Sequence, residues 1–201
     1  IQWRGQSHIE KMLAEEELKY VKNMYCNADA GIDRFHENLI NHKNSILKHI
    51  HSTIQYTGKE VKLPQDYQKL TDFQESDTQV MIIHGAAGAG KSAIVKDFLE
   101  ADQNQKEKIT LMFTASDLDV KEENLLLQDE NYGLQDLFGL YKNEEHRLCI
   151  IDSTEKYCTA KYPEVFGDIL SQFLDHGWKI LITIRTFYKE SFCNTYLKNT
   201  I

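Results

Sequence analysis

Apolar residues follow two different rhythms along the chain, and the rhythm changes near residue 77. In the first part they recur at every third or fourth position, which is the spacing of one face of a helix. Two such stripes are present: Ile9, Met12, Leu13, Tyr20, Val21 and Met24, and then Ile32, Phe35, Leu39, Ile46, Leu47, Ile50 and Ile54. Residues 1–76 are therefore predicted to be a helical segment, either a linker or a subdomain, with a short helix opened by Pro64 near its polar end.

Beyond residue 77, short apolar runs alternate with helical patterns. The runs are residues 80–83, 109–113, 148–151 and 180–184, and the helical patterns between them are residues 93–100, 134–141 and 165–174. Strands that alternate with helices form right-handed βαβ units, whose parallel sheet is covered by helices on both faces. Residues 77–201 are therefore predicted to be a three-layer α/β domain with a mainly parallel sheet.

A glycine-rich segment lies between the first run and the first helical pattern. Its sequence, GAAGAGKS over residues 85–92, satisfies the P-loop pattern G-x-x-x-x-G-K-[ST]. Its glycines let backbone N–H groups turn towards a phosphate, and the following helix adds its positive dipole end. Lys91 brings a positive charge to the β- and γ-phosphates, and the Ser92 hydroxyl is a magnesium ligand. The segment specifies a P-loop NTPase that binds ATP, or a similar nucleotide, with Mg²⁺ through Gly85, Ala86, Ala87, Gly88, Ala89, Gly90, Lys91, Ser92 and Ala93.

Charged residues follow the third and fourth apolar runs. Because the carboxyl ends of parallel strands lie at one edge of a sheet, Asp152 is expected beside the P-loop, where it would hold Mg²⁺ together with Ser92. Glu155 is placed to polarise the attacking water, and Arg185, one of four arginines in the chain, could reach the γ-phosphate and report its presence. The alternatives are that the two acids only cap the next helix and that Arg185 is a solvated strand end.

Composition and charge narrow the class of protein further. The net charge of −8 counts against a non-specific grip on nucleic acid, which requires a basic surface. The four cysteines have no zinc-ligand spacing, and neither a secretory signal nor an apolar run long enough for a membrane span is present, so a reducing cytoplasm fits best. The chain starts at Ile1 rather than at a methionine, which suggests a piece of a longer protein, truncated on the C-terminal side of its P-loop core.

Taken together, residues 79–190 resemble the STAND class of P-loop ATPases, the signal transduction ATPases with numerous domains. GAAGAGKS is similar to the Walker A motif of that class, LCIIDSTE to its Walker B motif, and WKILITIRT to its strand-four segment. The forms IDS-x-EK and WKILIT are most similar to bacterial antiviral STAND proteins, known as AVAST systems. Two positions differ from the usual pattern: Lys156 follows Glu155 where many relatives have a second acid, and Ile184 replaces a small residue before Arg185.

The resemblance implies an ATP-dependent switch. In that class, a sensor domain recognises a foreign protein, often a phage component, and ATP-dependent homo-oligomerisation then activates an effector. Lys91 and Ser92 would bind phosphate and magnesium, Asp152 would coordinate magnesium, Glu155 would support slow hydrolysis, and Arg185 would sense the γ-phosphate. The trigger would act through domains outside this chain, and this segment would contact neither membrane nor nucleic acid.

Two other functions share the P-loop and stay open at this point. A small-molecule or nucleotide kinase usually needs several lid arginines to clamp the transferred phosphate, and the sequence offers no arginine cluster. A nucleic-acid-dependent AAA+ motor is opposed by the acidic charge and by the lack of a basic stripe.

Overall fold

The computed structural model describes residues 19–62, 66–101, 108–127, 129 and 131–197, with only the backbone described for residues 19–29, 54, 55 and 124. The helices are α1 Lys19–His49, α2 Gln68–Glu75, α3 Lys91–Ala101, α4 Leu134–Leu140, α5 Pro163–Asp175 and α6 Thr186–Tyr196. The strands are β1 Thr53–Tyr56, β2 Lys59–Lys62, β3 Val80–Gly85, β4 Lys108–Thr114, β5 His146–Asp152 and β6 Lys179–Arg185. Two short 3₁₀ helices span Glu123–Leu125 and Thr154–Thr159.

The chain divides into two compact units between Ile40 and Asn41, so that α1 begins in the first unit and ends in the second. All the strands, and the helices from α2 onwards, lie in the second unit. None of the helices in the described ranges has the length and apolar character needed to cross a membrane.

The first part of the chain differs from the prediction of two separate helices. The described part of the first stripe and most of the second lie on one continuous helix, α1. The residues between the stripes include Ala28 and Ala30, which are strong helix formers, and Gly31 costs only about 1 kcal/mol in a helix, so nothing there ends it. Ile9, Met12, Leu13 and the segment Leu63-Pro64 lie outside the described residues, so the predicted start of a helix at Pro64 stays a prediction; α2 begins at Gln68.

A β-hairpin follows α1 where the sequence pattern predicted helix. Its antiparallel strands β1 and β2 are joined by Thr57 and Gly58, whose φ angles of 47° and 76° are both in the left-handed region. Two-residue turns of this kind match the right-handed twist of the flanking strands. The spacing of Ile54 fits a helical period as well as a strand period, but the Thr-Gly pair and the β-branched residues around it favour the hairpin.

The main sheet contains four parallel strands in the order β3-β6-β5-β4. This confirms the predicted parallel sheet and extends each predicted strand by two or three residues. The strand β6, last of the four along the chain, lies between β3 and β5. β6 is therefore flanked on both sides, by β3 along residues 180–185 and by β5 along residues 179–182.

Helices cover both faces of this sheet, as predicted for a three-layer α/β fold. On one face, Met112, Ile150 and Leu181 of the sheet share a buried core with α2, α3 and the end of α1. On the other face, Phe173 of α5 packs edge-on against Phe138 and Trp178. Each fully buried apolar side chain of this size stabilises the fold by roughly 1.5–3 kcal/mol, so both layers are held to the sheet by their apolar contacts.

One junction in this fold has no connecting loop. Arg185 is the last residue of β6, and Thr186 is the first residue of α6. The backbone of Arg185 is extended, with φ −72° and ψ 140°, and the chain turns directly into the helix.

Candidate functional site

The carboxyl ends of the parallel strands bring the predicted site residues to one edge of the sheet. Gly85 at the end of β3 is the register partner of Arg185 at the end of β6, and Thr114 at the end of β4 is the partner of Asp152 at the end of β5. Because β6 lies between β3 and β5, its end adjoins both the glycine-rich loop and Asp152. Ligands of open parallel sheets bind at this edge.

The loop after β3 has the backbone conformation that its glycines permit. Gly88 and Gly90 have φ angles of 72° and 83°, in the left-handed region that side chains disfavour. The carbonyl of Gly90 accepts the first helical hydrogen bond, from Ile94 N at 2.9 Å, so α3 starts directly at the loop. The unpaired N–H groups of its first turn, with the positive end of the helix dipole, form a site that favours an anion.

Lys91 lies at the first position of α3 and is turned back onto the loop. Its Nζ donates to the carbonyl of Ala86 at 3.0 Å and to that of Gly85 at 3.4 Å. Both acceptors are neutral, so phosphate oxygens would compete with them on favourable terms, since hydrogen bonds between two charged groups are the stronger kind.

Ser92 and Asp152 meet across the edge of the sheet. The Ser92 hydroxyl donates to Asp152 Oδ1 at 2.8 Å, although the two residues are 60 positions apart. Side chains alternate between the faces of a strand, so Asp152 lies on the same face as Ile150 and therefore faces α3. Asp152 is only 7% exposed, and the residue at the start of the following 3₁₀ helix, Ser153, makes no side-chain capping bond.

This pair fits a magnesium ion that is bound jointly with a nucleotide. Mg²⁺ takes oxygen ligands and keeps several waters, with one or two protein side chains and phosphate oxygens completing its shell. Ser92 Oγ and the Asp152 carboxylate are oxygen donors within hydrogen-bond distance of each other. Within the described ranges, no group of three or more His, Cys, Asp or Glu side chains could hold an ion without such a partner.

Thr183 completes the setting of Asp152 and was not among the predicted site residues. Its hydroxyl donates to Asp152 Oδ1 and accepts from the backbone N–H of Ser153 at 3.0 Å. Ser153 has a φ of 58°, a left-handed conformation that costs a non-glycine residue on the order of 1–2 kcal/mol. A signal was present in the sequence: Thr183 is a polar residue inside a buried strand, two positions before Arg185 and therefore on the same face.

Glu155 and Arg185 form an ion pair at the rim of the same edge. Arg185 Nε lies 3.0 Å from Glu155 Oε1, with the arginine side chain 51% exposed and the glutamate side chain 13% exposed. The second oxygen, Glu155 Oε2, is buried and has no hydrogen-bond partner among the described residues. The carboxylate therefore has an unused acceptor inside the site.

An open cleft of about 410 Å³ connects these groups. Its lining is formed by the end of α1 and the two residues after it, the glycine-rich loop with the start of α3, the segment after β5 and the end of β6: His49, Ile50, His51, Ala87, Gly88, Gly90, Lys91, Ser92, Ala93, Ser153, Glu155 and Arg185. The residues of the α1–β1 connection were not predicted, because only the folded chain brings them beside the loop. Asp152 lies behind Ser92, out of this lining.

A second polar cluster lies at the end of β4, next to Asp152. Asp117 accepts hydrogen bonds from the backbone N–H of Thr114 at 2.6 Å and from its hydroxyl at 2.8 Å, and His42 Nε2 lies 3.5 Å away. Burial by itself would raise the pKa of Asp117, but His42 and Thr114 together lower this pKa below its usual value. The cluster fixes the end of β4. The next residue, Ala115, donates its backbone N–H to the carbonyl of Asp152 at 3.1 Å.

The parallel α/β sheet, with a glycine-rich loop leading from β3 into α3, defines the fold of a P-loop NTPase. A scan against models of protein families gives no match, and a search of curated proteins gives none either. Similar solved structures include a katanin, from work on katanin self-assembly, with 18% identity and a TM-score of 0.41 over 66% of this chain and 44% of that one. A DNA replication initiation factor is 12% identical, with a TM-score of 0.42 over 59% of this chain and 35% of that one.

This chain spans less than half of the length of both structures. At this level of similarity, the strand order and the loop of the chain itself carry the assignment to the class.

Proposed function

We propose that this chain is an ATPase module that binds ATP with Mg²⁺ in the cleft and hydrolyses it slowly. The observation that carries the proposal is the hydrogen bond of 2.8 Å between Ser92 and Asp152, next to the glycine-rich loop. In P-loop NTPases, a serine at the start of the P-loop helix and a carboxylate from a neighbouring strand are the protein groups that hold the nucleotide-bound magnesium ion.

Each predicted residue has a distinct part in binding. The loop N–H groups from Gly85 to Gly90, together with Lys91, would surround the β- and γ-phosphates. When bound, the ion would supply positive charge that offsets the negative charge developing on the phosphates. Ser92 would bind the ion directly, and Asp152 would hold its water shell, oriented by Thr183. Ala93 is the third residue of α3, in its first turn, where it lines the cleft.

Hydrolysis would require the ion pair between Arg185 and Glu155 to open. A γ-phosphate carries more negative charge than one carboxylate, and its oxygens would compete for the guanidinium. Glu155 would then be free to accept a proton from the water that attacks the γ-phosphorus as the bond to the β–γ bridging oxygen breaks. Turnover would be slow, since the base is available only after this exchange, so Arg185 would act as a sensor of the γ-phosphate.

At the finer level, the module would be the regulatory switch of a STAND-type defence protein. The similarity of its three motifs to antiviral STAND ATPases supports this role, in which ATP drives homo-oligomerisation in the cytoplasm and activates an effector. A foreign protein, such as a phage component, would be the trigger and would act through other domains. The acidic net charge of −8 supports the expectation that this segment does not bind nucleic acid directly.

Nucleotide binding is tested by calorimetric titration of ATP and Mg²⁺ into the wild-type protein and two lysine variants. Lys91→Ala removes charge-assisted hydrogen bonds worth about 1.5–3 kcal/mol, so the affinity should fall roughly 10- to 100-fold. Lys142→Ala, at an exposed position after α4, is the matched control and should leave the affinity unchanged. Equal affinities in all three proteins would refute the binding site.

The reaction is tested by following phosphate release and the oligomeric state. Glu155→Gln should abolish hydrolysis while ATP binding is retained, and ATP should increase the mass measured by light scattering in wild-type protein. Phosphate transfer to a small molecule or nucleotide would indicate a kinase instead. Stimulation of hydrolysis by DNA would favour an AAA+ motor.

A further inference from the structure

The edge of the sheet opposite the glycine-rich loop carries a cluster of cations. Lys108 begins β4, His146 and Arg147 begin β5, and Lys179 begins β6. These three strands are neighbours, and their register pairs Lys108 with His146 and Leu148 with Lys179. These four side chains border a small cavity of about 50 Å³. Its full lining is Gln74, Lys108, Glu145, His146, Arg147, Leu148, Gly177 and Lys179.

Contacts within the fold account for the two lysines. Lys179 Nζ donates to the carbonyls of Phe73 and Gln74, both at 2.8 Å, and to that of Ser76, so it satisfies the open carbonyls at the end of α2. Lys108 Nζ donates to Gln74 Oε1 at 3.0 Å. Both lysines therefore have structural partners while their charges remain beside the cavity.

The guanidinium of Arg147 differs from the two lysines, because one of its N–H groups lacks an acceptor among the described residues. Its Nε is buried and has no hydrogen-bond partner in the described part of the chain. The guanidinium packs against the backbone after α5, where a β-carbon added to Gly177 would lie 3.0 Å from Arg147 Nη2. A buried N–H of a charged group without an acceptor carries a desolvation penalty, so an acceptor is expected in the cavity next to it.

We propose that this cavity binds a small tetrahedral oxyanion of the phosphate class, at a second site independent of the P-loop. Three cations, Lys108, Arg147 and Lys179, face the cavity against two carboxylates: Glu145 in its lining, and Glu75, whose Oε1 lies 4.0 Å from Lys108 Nζ. This excess of positive charge stands in a chain whose net charge is −8. The volume is several times the roughly 10–15 Å³ that one water requires. The planar fork of Arg147 presents paired donors that match two oxygens of one anion, whereas a water accepts at a single oxygen.

The test is calorimetric titration of inorganic phosphate at constant ionic strength, set with sodium chloride. All proteins carry Lys91→Met, which weakens phosphate binding at the P-loop and isolates the second site. Adding Arg147→Met should lower the remaining affinity about tenfold or more, while adding Lys142→Met, at an exposed lysine, should not change it. Equal affinity with and without Arg147, or binding that chloride abolishes in all variants, would overturn the proposal.

A second measurement uses the wild-type protein and does not depend on the folding of any variant. Crystals soaked in sodium selenate reveal the anion by the anomalous signal of selenium. The proposal requires a selenium peak within hydrogen-bond reach of the Arg147 guanidinium. A peak at the P-loop alone, or a single water at Arg147 Nε, would contradict it.

Discussion

Replacing Thr183 by valine tests whether one hydroxyl supports the geometry of Asp152. Valine has nearly the volume of threonine, so at a position that is 1% exposed the substitution removes the hydroxyl without leaving a cavity. Two bonds are lost, the one to Asp152 Oδ1 and the one from Ser153 N at 3.0 Å.

The expected cost follows from these two bonds. A hydrogen bond to a charged group contributes about 1.5–3 kcal/mol, and a partly buried N–H left without an acceptor costs about 1–3 kcal/mol. Because the two terms share one site and water can enter the cleft, we expect a total loss of about 2–4 kcal/mol in the free energy of unfolding. Hydrolysis of ATP should fall as well, since Ser153 can leave its left-handed conformation and Asp152 loses a fixed partner.

Urea unfolding measures the first effect, and phosphate release with saturating ATP measures the second. Thr183→Ser keeps the hydroxyl and is the matched control, which should retain most of the stability and activity. The reasoning is refuted if Thr183→Val unfolds within about 0.5 kcal/mol of wild type, the usual range for an uninvolved surface position. It also fails if the serine and valine variants lose the same amount.

Two further substitutions test contacts outside the cleft. Lys62→Ala should lower the urea midpoint, because Asp97, which is 5% exposed, loses the ammonium group 2.9 Å away. Lys59→Ala, at an exposed position on the same hairpin, is the control and should leave the midpoint unchanged. Equal midpoints for the two variants would contradict this role of Lys62. Asp117→Asn should be less stable than wild type at pH 7, because the lowered pKa means that folding favours the carboxylate. The stabilisation by the carboxylate is lost as the pH falls from the ordinary pKa of 3.8 through the lower pKa in the folded protein, so the stability difference between wild type and Asp117→Asn should narrow by about pH 3. A stability difference that stays constant with pH would be evidence against the role of His42 and Thr114.

The strands and the glycine-rich loop could be predicted because their signals are local. Each buried strand is a continuous apolar run, and the loop is defined by eight adjacent residues. The order of the strands could not be predicted in the same way. Sequence shows that the strands are parallel, but only packing places β6 between β3 and β5.

Residues that depend on side-chain alternation or on distant contacts were harder to find. Thr183 was visible as part of a motif, yet its partner Asp152 is 31 positions away, and the bond exists only because β5 and β6 are neighbours. His49 and His51 reach the cleft from the end of α1, which no local pattern relates to the loop. The hairpin after α1 was missed because Ile54 satisfies a period of 3.6 as well as a period of 2.

The direct junction between β6 and α6 has a mechanical consequence. A flexible loop would absorb a change of backbone angle at Arg185, but here the next residue is already helical. α6 spans 11 residues, so at a rise of about 1.5 Å per residue it is a lever of roughly 16 Å. A rotation of about 10° at its base would displace its far end by nearly 3 Å, on the scale of the small helix shifts that accompany switching in other proteins. The far end of α6 packs through Tyr196 against Phe166 of α5 and Tyr157 of the second 3₁₀ helix. A change of backbone angle at Arg185 would therefore be passed through α6 to these two helices.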